Sequence, residues 1–161
     1  SQMHQKISLL FSLIEFEEFG LDYMKHVVHC SNYLAEKLAN KGFDVAKIED
    51  CYSKTHQVFI RCSKEEMDII YSNAYKCEVT LNKKHKDLFN GYGIRLGTQE
   101  LARYNWTDKD LDIIADIIEL LVDKDVNIEQ VNTLKNKLSK KIIHFAISDI
   151  EIEKFNSFLK I

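Results

Sequence analysis

The stretch "GYGIRLGTQELARYNW", Gly91 to Trp106, holds the pattern on which the interpretation of this fold depends. Three of the five glycines in the chain, Gly91, Gly93 and Gly97, flank a short apolar alternation that contains one cation, Arg95. Glycine allows a backbone to turn sharply or to approach another group closely. The pattern therefore predicts a short strand, "YGIRLG", that holds a charge in a defined position.

The guanidinium group of Arg95 is the candidate functional group of this strand. Its planar fork matches a carboxylate with two parallel hydrogen bonds, and it is costly to bury without a partner. An arginine in an apolar, glycine-flanked strand is therefore expected to face an anion. That anion is either an Asp or Glu of the chain itself or the carboxylate of a ligand, and spacing alone leaves both alternatives open.

Helices are predicted on the carboxyl side of this strand. Thr107 with Asp110 forms a capping box that begins the helix "DKDLDIIADIIELLV". Asn127 is a typical N-cap and begins a further helix that we expect to continue to about Phe145. The tail from Asp149 to Ile161 predicts a final short helix.

Two helices in series are predicted before the sheet. Gln5 to Glu18 carries a broad apolar stripe that needs cover on two sides. Gly20 is expected to end this helix. Leu21 to Lys41 then predicts a longer amphipathic helix, with Gly42 as its C-terminal cap.

The segments between these helices and the glycine-flanked strand predict the rest of the sheet. Phe43–Ile48 and His56–Cys62 are rich in β-branched and aromatic residues, which favours an antiparallel pair. Ser63 with Glu66 is a capping box that begins a helix. The alternation in "CEVTLN", Cys77–Asn82, predicts a third strand.

The charge run "NKKHKD", Asn82 to Asp87, follows that predicted third strand. Such runs are usually solvated loops, although this one could also bind an anion. It is not a phosphate loop, because the neighbouring glycines lie before and inside a strand and not between a strand and a helix.

The predicted order is α-α-β-β-α-β-β-α-α-α, which defines an α+β fold with a small antiparallel sheet covered on one face by helices. A length of 161 residues favours a single domain, 1–161. Within it we expect N-terminal helices at 1–42, an α/β core at 43–125 and C-terminal helices at 126–161.

Composition excludes several classes of partner. Hydrophobic residues make up 45% and charged residues 29%, which is typical of a folded globular chain. A net charge of -3 and a pI near 6.1 provide no basic field for phosphate backbones or anionic lipid, so neither nucleic acid nor membrane is expected as a partner. The longest apolar run is too short to span a bilayer, so we expect a cytoplasmic protein.

The cysteines and histidines do not predict a metal centre. The four cysteines contain no C-x-x-C pair, so we expect reduced and mostly buried thiols. His26, His29 and Cys30 lie at adjacent helical positions, but no second ligand pair is visible in the sequence. A helix whose imidazoles face solvent or another subunit is the favoured interpretation, and no metal is expected.

The sequence "YGIRLGTQELARYNWTDKDLDIIADII" resembles the C-terminal small domain of serine hydroxymethyltransferases and of related fold-type I pyridoxal-phosphate enzymes, including threonine-aldolase-like and transaldolase-like members. The segments "QMHQKISLLFSLIEF", "THQVFIRC" and "NAYKCEVTLNKK" are similar to successive parts of the same region. Together these segments span roughly Gln2 to Leu121.

The resemblance implies roles for individual residues. Arg95 matches the arginine that binds the α-carboxylate of an α-amino-acid substrate in this family. Thr98 and Arg103 match positions near the substrate pocket, and His4 matches a position close to the domain junction. Hydroxymethyltransferases usually have proline where this chain has Gln99, so an amino-acid aldolase or transaldolase fits as well.

The resemblance also implies what must lie outside this chain. The family binds pyridoxal 5'-phosphate in a preceding large domain, which supplies the cofactor lysine, an acid for the pyridine nitrogen and a phosphate cup. None of these motifs is present here. We therefore expect a C-terminal fragment that is inactive alone, that needs the missing N-terminal large domain, and that uses tetrahydrofolate only if it is a true hydroxymethyltransferase.

Two further expectations concern assembly and an alternative class. The broad apolar stripe of the first helix, together with the resemblance, predicts a homo-oligomer, in the simplest case a homodimer. The alternative to an enzyme fragment is a non-catalytic α+β binding or regulatory module that has kept the fold and lost the chemistry.

Overall fold

The computed structural model describes residues 2–86, 91–147 and 151–153. Its elements are α1 (Gln2–Asn40), β1 (Asp44–Val45), β2 (Gln57–Arg61), α2 (Lys64–Lys76), β3 (Asn82–Lys86), β4 (Gly91–Gly97), α3 (Gln99–Arg103), α4 (Asp108–Leu120) and α5 (Ile128–Lys135). Helices are thus combined with one antiparallel sheet, so the predicted α+β class is confirmed. Within these described ranges, no helix is both long enough and apolar enough to cross a membrane.

The four strands form one sheet in the order β1-β2-β4-β3, with every neighbouring pair antiparallel. In the central pair, Val58 lies opposite Leu96 and Ile60 lies opposite Ile94. These four side chains are buried and share one hydrophobic core with residues of α1, α2, α4 and α5. We call this side of the sheet the covered face. Helices cover it as the sequence predicted.

The opposite side of the sheet, the open face, carries the alternate residues of the same strands. On β2 these are Gln57, Phe59 and Arg61, none of which is fully buried. On β4 the alternation places glycines and Arg95 on this face. The open face therefore combines polar and cationic side chains with positions that have no side chain.

The two predicted N-terminal helices are one continuous helix, so the predicted break at Gly20 is wrong. A glycine inside a helix costs about 1 kcal/mol relative to alanine, which does not end a helix flanked by strong helix formers. Gly20 is buried, and a Cβ at this position would lie 3.0 Å from the Phe16 ring. The glycine thus allows the aromatic ring to pack on the helix.

The predicted end of this helix at Gly42 is confirmed. Gly42 has a φ of 92°, a conformation that favours glycine. Its N–H donates to the Ala39 carbonyl at 2.9 Å, and the Phe43 N–H donates to the Leu38 carbonyl at 3.1 Å. This pair of bonds is the Schellman motif, which satisfies the last carbonyls of the helix.

The third strand lies later in the sequence than predicted. Cys77 caps α2, and the ladder begins only at Asn82 and runs through the lysines to Lys86. The apolar residues that suggested a strand instead anchor the connection, because Leu81 is buried and Val79 packs against the core. The presumed solvated loop is the edge strand β3, where lysines are favoured because they discourage pairing with another sheet.

The predicted helix starts are confirmed by their capping geometry. At α2 the Glu66 N–H donates to Ser63 Oγ at 3.2 Å, and the Ser63 N–H donates to Glu66 Oε2 at 2.8 Å. At α4 the N–H of Thr107 donates to Asp110 Oδ2 at 2.9 Å. The Asn127 side chain likewise accepts from the Gln130 N–H. Short polar caps were therefore reliable signals in this sequence.

The predicted extent of the last long helix was wrong, since α5 ends at Lys135 and not near Phe145. After α5 the chain turns back over the helix layer. The Ser139 N–H donates to Asp110 Oδ1 at 2.8 Å, and the His144 N–H donates to the Arg103 carbonyl at 2.8 Å. The predicted final helix lies mostly outside the described residues, and only 151–153 of it is seen to be helical.

The N-terminal half of α1 exposes apolar side chains, as the breadth of its stripe suggested. Leu9, Leu13 and Phe16 are 60%, 58% and 58% exposed. In the C-terminal half of the same helix, Leu34 and Leu38 are almost fully buried in the core. The second half of α1 thus supplies core residues, whereas the first half leaves much of its apolar surface exposed.

Candidate functional site

Arg95 lies near the middle of β4, with a strand on either side. Its cross-strand neighbours are Phe59 on β2 and Asn82 on β3. The residues before and after it, Ile94 and Leu96, point into the core. The alternation of the strand therefore directs Arg95 to the open face, where its side chain is half-buried.

Arg95 differs from the other two arginines of the chain in having no carboxylate partner. Arg61 Nε lies 3.2 Å from Asp44 Oδ2, and an Arg103 terminal nitrogen donates to Glu15 Oε2 at 2.8 Å. Arg95 makes no ion pair or hydrogen bond with any residue in the described part of the chain. Of the two alternatives in the sequence, an internal acid is therefore absent from the described residues.

The backbone on the N-terminal side of Arg95 requires glycine for steric and conformational reasons. A Cβ on Gly93 would lie 2.5 Å from the carbonyl oxygen of Ile60, a distance that no substitution tolerates without backbone movement. Gly91 has a φ of 126°, which side chains rarely adopt. Neither position therefore places a side chain beside the guanidinium group, and Gly93 itself is buried.

Thr98 lies just beyond β4 and is fully buried. Its hydroxyl lies 3.2 Å from the Val27 carbonyl and 3.2 Å from the His56 carbonyl, and it donates to these acceptors. Its N–H also donates to the His56 carbonyl at 2.9 Å. In this chain Thr98 joins the end of β4 to α1 and to the start of β2, so a contact with substrate stays a prediction.

Arg103 lies on α3 beside a small cavity of about 130 Å³. Its ion pair with Glu15 connects α3 to the N-terminal half of α1. The cavity is lined by Ser12, Glu15, Phe16, Phe19, Gly20, Tyr23, Arg103 and Phe145. Arg95 does not line this cavity, and the proximity of Arg103 to substrate also stays a prediction.

Phe145 is part of this cavity and was not recognised from the sequence. It has a φ of 53°, unusual for a bulky residue, and its ring lies 5.6 Å from the Tyr23 ring and 6.3 Å from the Phe19 ring. The Tyr23 hydroxyl donates to the Gln99 carbonyl at 2.9 Å, and burial raises the pKa of Tyr23. No local pattern signals such a long-range aromatic contact.

His4, the fourth predicted site residue, lies in the first turns of α1. Its side chain lies outside the described part of the structure. The predicted place at a domain junction therefore stays a prediction.

The histidine cluster on α1 is used for packing. His29 Nε2 lies 2.7 Å from Asp108 Oδ1, which connects α1 to the first turn of α4. The His26 ring stacks on His29, and burial followed by the charge of His29 lowers the pKa of His26. No group of three or more metal-ligating side chains occurs among the residues that the structure describes.

The cysteines are free, and two of them, Cys30 and Cys77, are buried. Burial raises the pKa of Cys30 to about 11, and burial likewise raises the pKa of Cys62 to about 11. Both thiols are therefore protonated near neutral pH and are poor nucleophiles.

Comparison with solved structures defines the class of domain. The fold resembles that of L-threonine transaldolase from Pseudomonas fluorescens, solved in its internal aldimine state, with a TM-score of 0.73 at 20% identity. The similarity covers 91% of this chain and 36% of the transaldolase chain. The domain therefore has the α+β fold of a region found in fold-type I pyridoxal-phosphate enzymes.

Comparison with curated sequences defines the family. Serine hydroxymethyltransferase of Methanobrevibacter smithii is 31% identical over 163 residues, covering 96% of this chain and 38% of the relative. The enzymes of Methanocaldococcus jannaschii and Methanocella arvoryzae are 31% and 28% identical, covering 76% and 90% of this chain. No family model matches the sequence.

The chain belongs with the serine hydroxymethyltransferase-like proteins, and the resemblance to their C-terminal small domain is confirmed. It spans about a third of the length of these relatives, from 32% to 38% in the three compared.

The residues described here do not by themselves fit pyridoxal phosphate. The cofactor needs a lysine in a protected pocket, but the buried polar residues are Ser31, Ser53, Asn73, Thr98 and Asp110, with no lysine among them in the described ranges. No glycine-rich turn leads from a strand into a long helix within these ranges. Binding of this cofactor would therefore require residues other than these.

Proposed function

We propose that this chain is the small domain of a pyridoxal-phosphate-dependent enzyme that acts on an α-amino acid, and that Arg95 binds the α-carboxylate of that substrate. The reaction class proposed for the complete protein is carbon-carbon bond cleavage or transfer of a one-carbon or aldehyde unit. Similarity to serine hydroxymethyltransferases over almost the whole chain supports this class.

The observation that carries the proposal is the free guanidinium group of Arg95. Arginine stays charged at any working pH and is expensive to hold half-buried without an anion. Within the described chain Arg61 and Arg103 have carboxylate partners, whereas Arg95 has none. An external carboxylate is the ligand that best matches its two-pronged geometry.

The surroundings of Arg95 suit a positioning role. Gly91 and Gly93 place no side chain on the open face of β4 beside Arg95, so its own strand does not crowd the guanidinium group. The neighbouring core residues hold the strand rigid, which keeps the guanidinium in one place. Arg95 would thus fix the orientation of the substrate, while the bond-breaking chemistry belongs to cofactor and residues outside this chain.

The test is Arg95→Lys in the complete protein. Lysine keeps the charge but loses the bidentate match, so kcat/KM should fall by about 2 kcal/mol in transition-state binding, roughly 30-fold. The loss should be large for substrates with a free α-carboxylate and small for the corresponding decarboxylated amines. Equal losses for both kinds of substrate would contradict the carboxylate assignment.

Arg61→Lys is the matched control for this experiment. Arg61 lies on the same open face, one strand away, but its guanidinium is already engaged by Asp44. Its replacement should change neither kcat nor the preference for carboxylate substrates. If both variants lose activity to the same extent, the effect reflects the charge of the whole face and not a specific clamp.

Two reactions within this class differ in whether they need tetrahydrofolate. Hydroxymethyl transfer to tetrahydrofolate would make serine cleavage dependent on that acceptor, whereas an aldolase would cleave a β-hydroxy amino acid without it. This chain has Gln99 where hydroxymethyltransferases usually have proline, so we keep the aldolase or transaldolase as an alternative. Product analysis with serine and threonine, with and without tetrahydrofolate, separates the two.

A further inference from the structure

Adjacent lysines of β3 lie in different environments. Lys83 is opposite Ile94 in the ladder and lies on the helix side, where its Nζ is 3.4 Å from Asp68 Oδ1 and 4.7 Å from the centre of the Tyr71 ring. Lys84 is opposite Gly93 and lies on the open face. It is half-buried, and it has no ion pair or hydrogen bond with the described residues.

The register places Lys84 close to Arg95. Lys84 and Gly93 are direct partners across β3 and β4, and Arg95 is two residues further along β4 on the same face. Such diagonal neighbours lie about 7–8 Å apart at their Cα atoms, within reach of long side chains. Since Gly93 has no side chain, nothing from that position separates the two cations.

The charge balance of this part of the face is positive. Asp44 on β1 lies opposite Arg61 on β2, and these two residues form an ion pair with each other. Lys84 and Arg95 therefore lie close together without a counterion among the described residues, in a chain whose net charge is -3. Two neighbouring cations repel, and an anion placed between them removes that cost.

Lysines on an edge strand discourage pairing with another sheet. This role explains the presence of Lys83 better than that of Lys84. Edge lysines act by projecting charge into solvent. Lys83 is 47% exposed at its side chain and has its own carboxylate, whereas Lys84 is half-buried against the open face with none in the described ranges. The burial of an unneutralised amine points to a ligand.

We propose that Lys84 and Arg95 together bind a ligand with two anionic groups, with the α-carboxylate on Arg95 and a second carboxylate or phosphate on Lys84. This inference rests on the proposed function, because it assumes that Arg95 holds the α-carboxylate. It narrows the ligand to an amino acid, or an amino-acid-like molecule, with an acidic side chain.

The test is an NMR titration of the ¹⁵N-labelled 161-residue chain with L-serine, L-glutamate and O-phospho-L-serine at constant ionic strength. The Gly93 amide and the Arg95 Nε–H report binding. We expect the dissociation constant to be about fivefold lower for at least one dianionic probe than for serine, the gain of one exposed ion pair. Glutamate and phosphoserine distinguish a carboxylate from a phosphate at Lys84.

Two variants show which lysine is responsible. Lys84→Gln should abolish the preference for dianionic probes, so that glutamate and O-phospho-L-serine bind no more tightly than serine. Lys83→Gln, one residue away on the other side of the sheet, should keep the preference. The spectra themselves show whether each variant is folded.

The outcomes separate this inference from the proposed function. Equal affinities for all three probes, or a preference that survives in Lys84→Gln, overturn the role of Lys84 while serine shifts at Arg95 still support the carboxylate clamp. Shifts confined to β3, with no effect of any probe on Arg95, overturn the clamp and this inference together. Absence of binding by every probe counts against both.

Discussion

The two faces of the sheet are built from the same strands and have opposite properties. In β4, Ile94 and Leu96 are buried in the helix-covered core, while Arg95 between them is half-buried and free of partners in the described chain. In β3, Lys83 is paired on the helix side, whereas Lys84 on the open face has no partner among the residues that the structure describes. A period of two residues therefore separates the residues that stabilise the fold from those available to a ligand.

The largest expected effect comes from the covered face. Ile94→Ala removes a fully buried side chain from the core, so the free energy of unfolding should fall by about 3 kcal/mol. Urea denaturation followed by circular dichroism measures the change. The neighbouring Arg95→Ala variant is the control and should change stability by less than about 0.5 kcal/mol, because it removes no partner in the described structure. Similar losses in both variants would show that Arg95 on the open face stabilises the fold as much as Ile94 on the covered face.

Thr98 tests where the covered face ends. Its buried hydroxyl lies 3.2 Å from the carbonyls of both Val27 and His56, so Thr98→Val should cost about 1 to 2 kcal/mol of stability. Thr98→Ser keeps the hydroxyl and should retain most of the stability. If instead Thr98→Val is as stable as the parent and the complete enzyme loses substrate affinity, then Thr98 belongs to the binding site.

Asp110 gives the helix layer over the covered face a dependence on pH. Burial would raise its pKa, but hydrogen bonds from Ser139 and Thr107 outweigh burial and lower the pKa below its ordinary value. A lowered pKa in the folded state stabilises the fold above the ordinary carboxyl pKa, and this contribution is lost as the pH falls through the lowered value. Asp110→Asn should therefore cost about 1 kcal/mol near pH 7, and the difference from the parent should shrink in acid.

The measurement is the free energy of unfolding of both proteins between neutral and acidic pH. Asp125→Asn, which changes an exposed carboxylate, is the control and should follow the parent at every pH. A constant difference between Asp110→Asn and the parent across this range would show that the carboxyl charge is not what stabilises the cap.

The smallest effect on stability is expected at the exposed half of α1, which extends beyond the covered face. Leu13 is 58% exposed, so Leu13→Glu should change the free energy of unfolding by less than about 0.5 kcal/mol. The same change should weaken self-association through this apolar surface, measured by analytical ultracentrifugation. The matched change Leu34→Glu, in the buried half, should unfold the chain. A chain that is monomeric before any substitution would remove this explanation of the exposed surface.

Local signals in the sequence were sufficient for much of the fold. The capping residues Ser63, Thr107 and Asn127 each begin a helix, and Gly42 ends one, because these features depend on a few neighbouring residues. The predicted helix break at Gly20 was wrong because that prediction also used only neighbouring residues. A local preference of about 1 kcal/mol is overruled when strong helix formers flank the glycine on both sides.

The strand β3 shows the limit of local patterns. The alternation at Cys77–Asn82 resembled a strand, yet pairing begins only where β4 offers partners to Asn82–Lys86. The end of α5 and the contact of Phe145 with Tyr23 likewise depend on residues far apart in the sequence. Patterns within one segment carry no information on which distant segment will meet it.

The sequence by itself determined the α+β class, the family resemblance and the choice of Arg95 as the central candidate, because each depends on residue types at short spacing. Only the tertiary structure decided whether Arg95 already has an acid beside it. Any of the 25 acidic residues could have reached it in a different packing, and in the described structure none does. Whether a charged side chain has an ion-pair partner depends on distances between segments, and the sequence does not contain those distances.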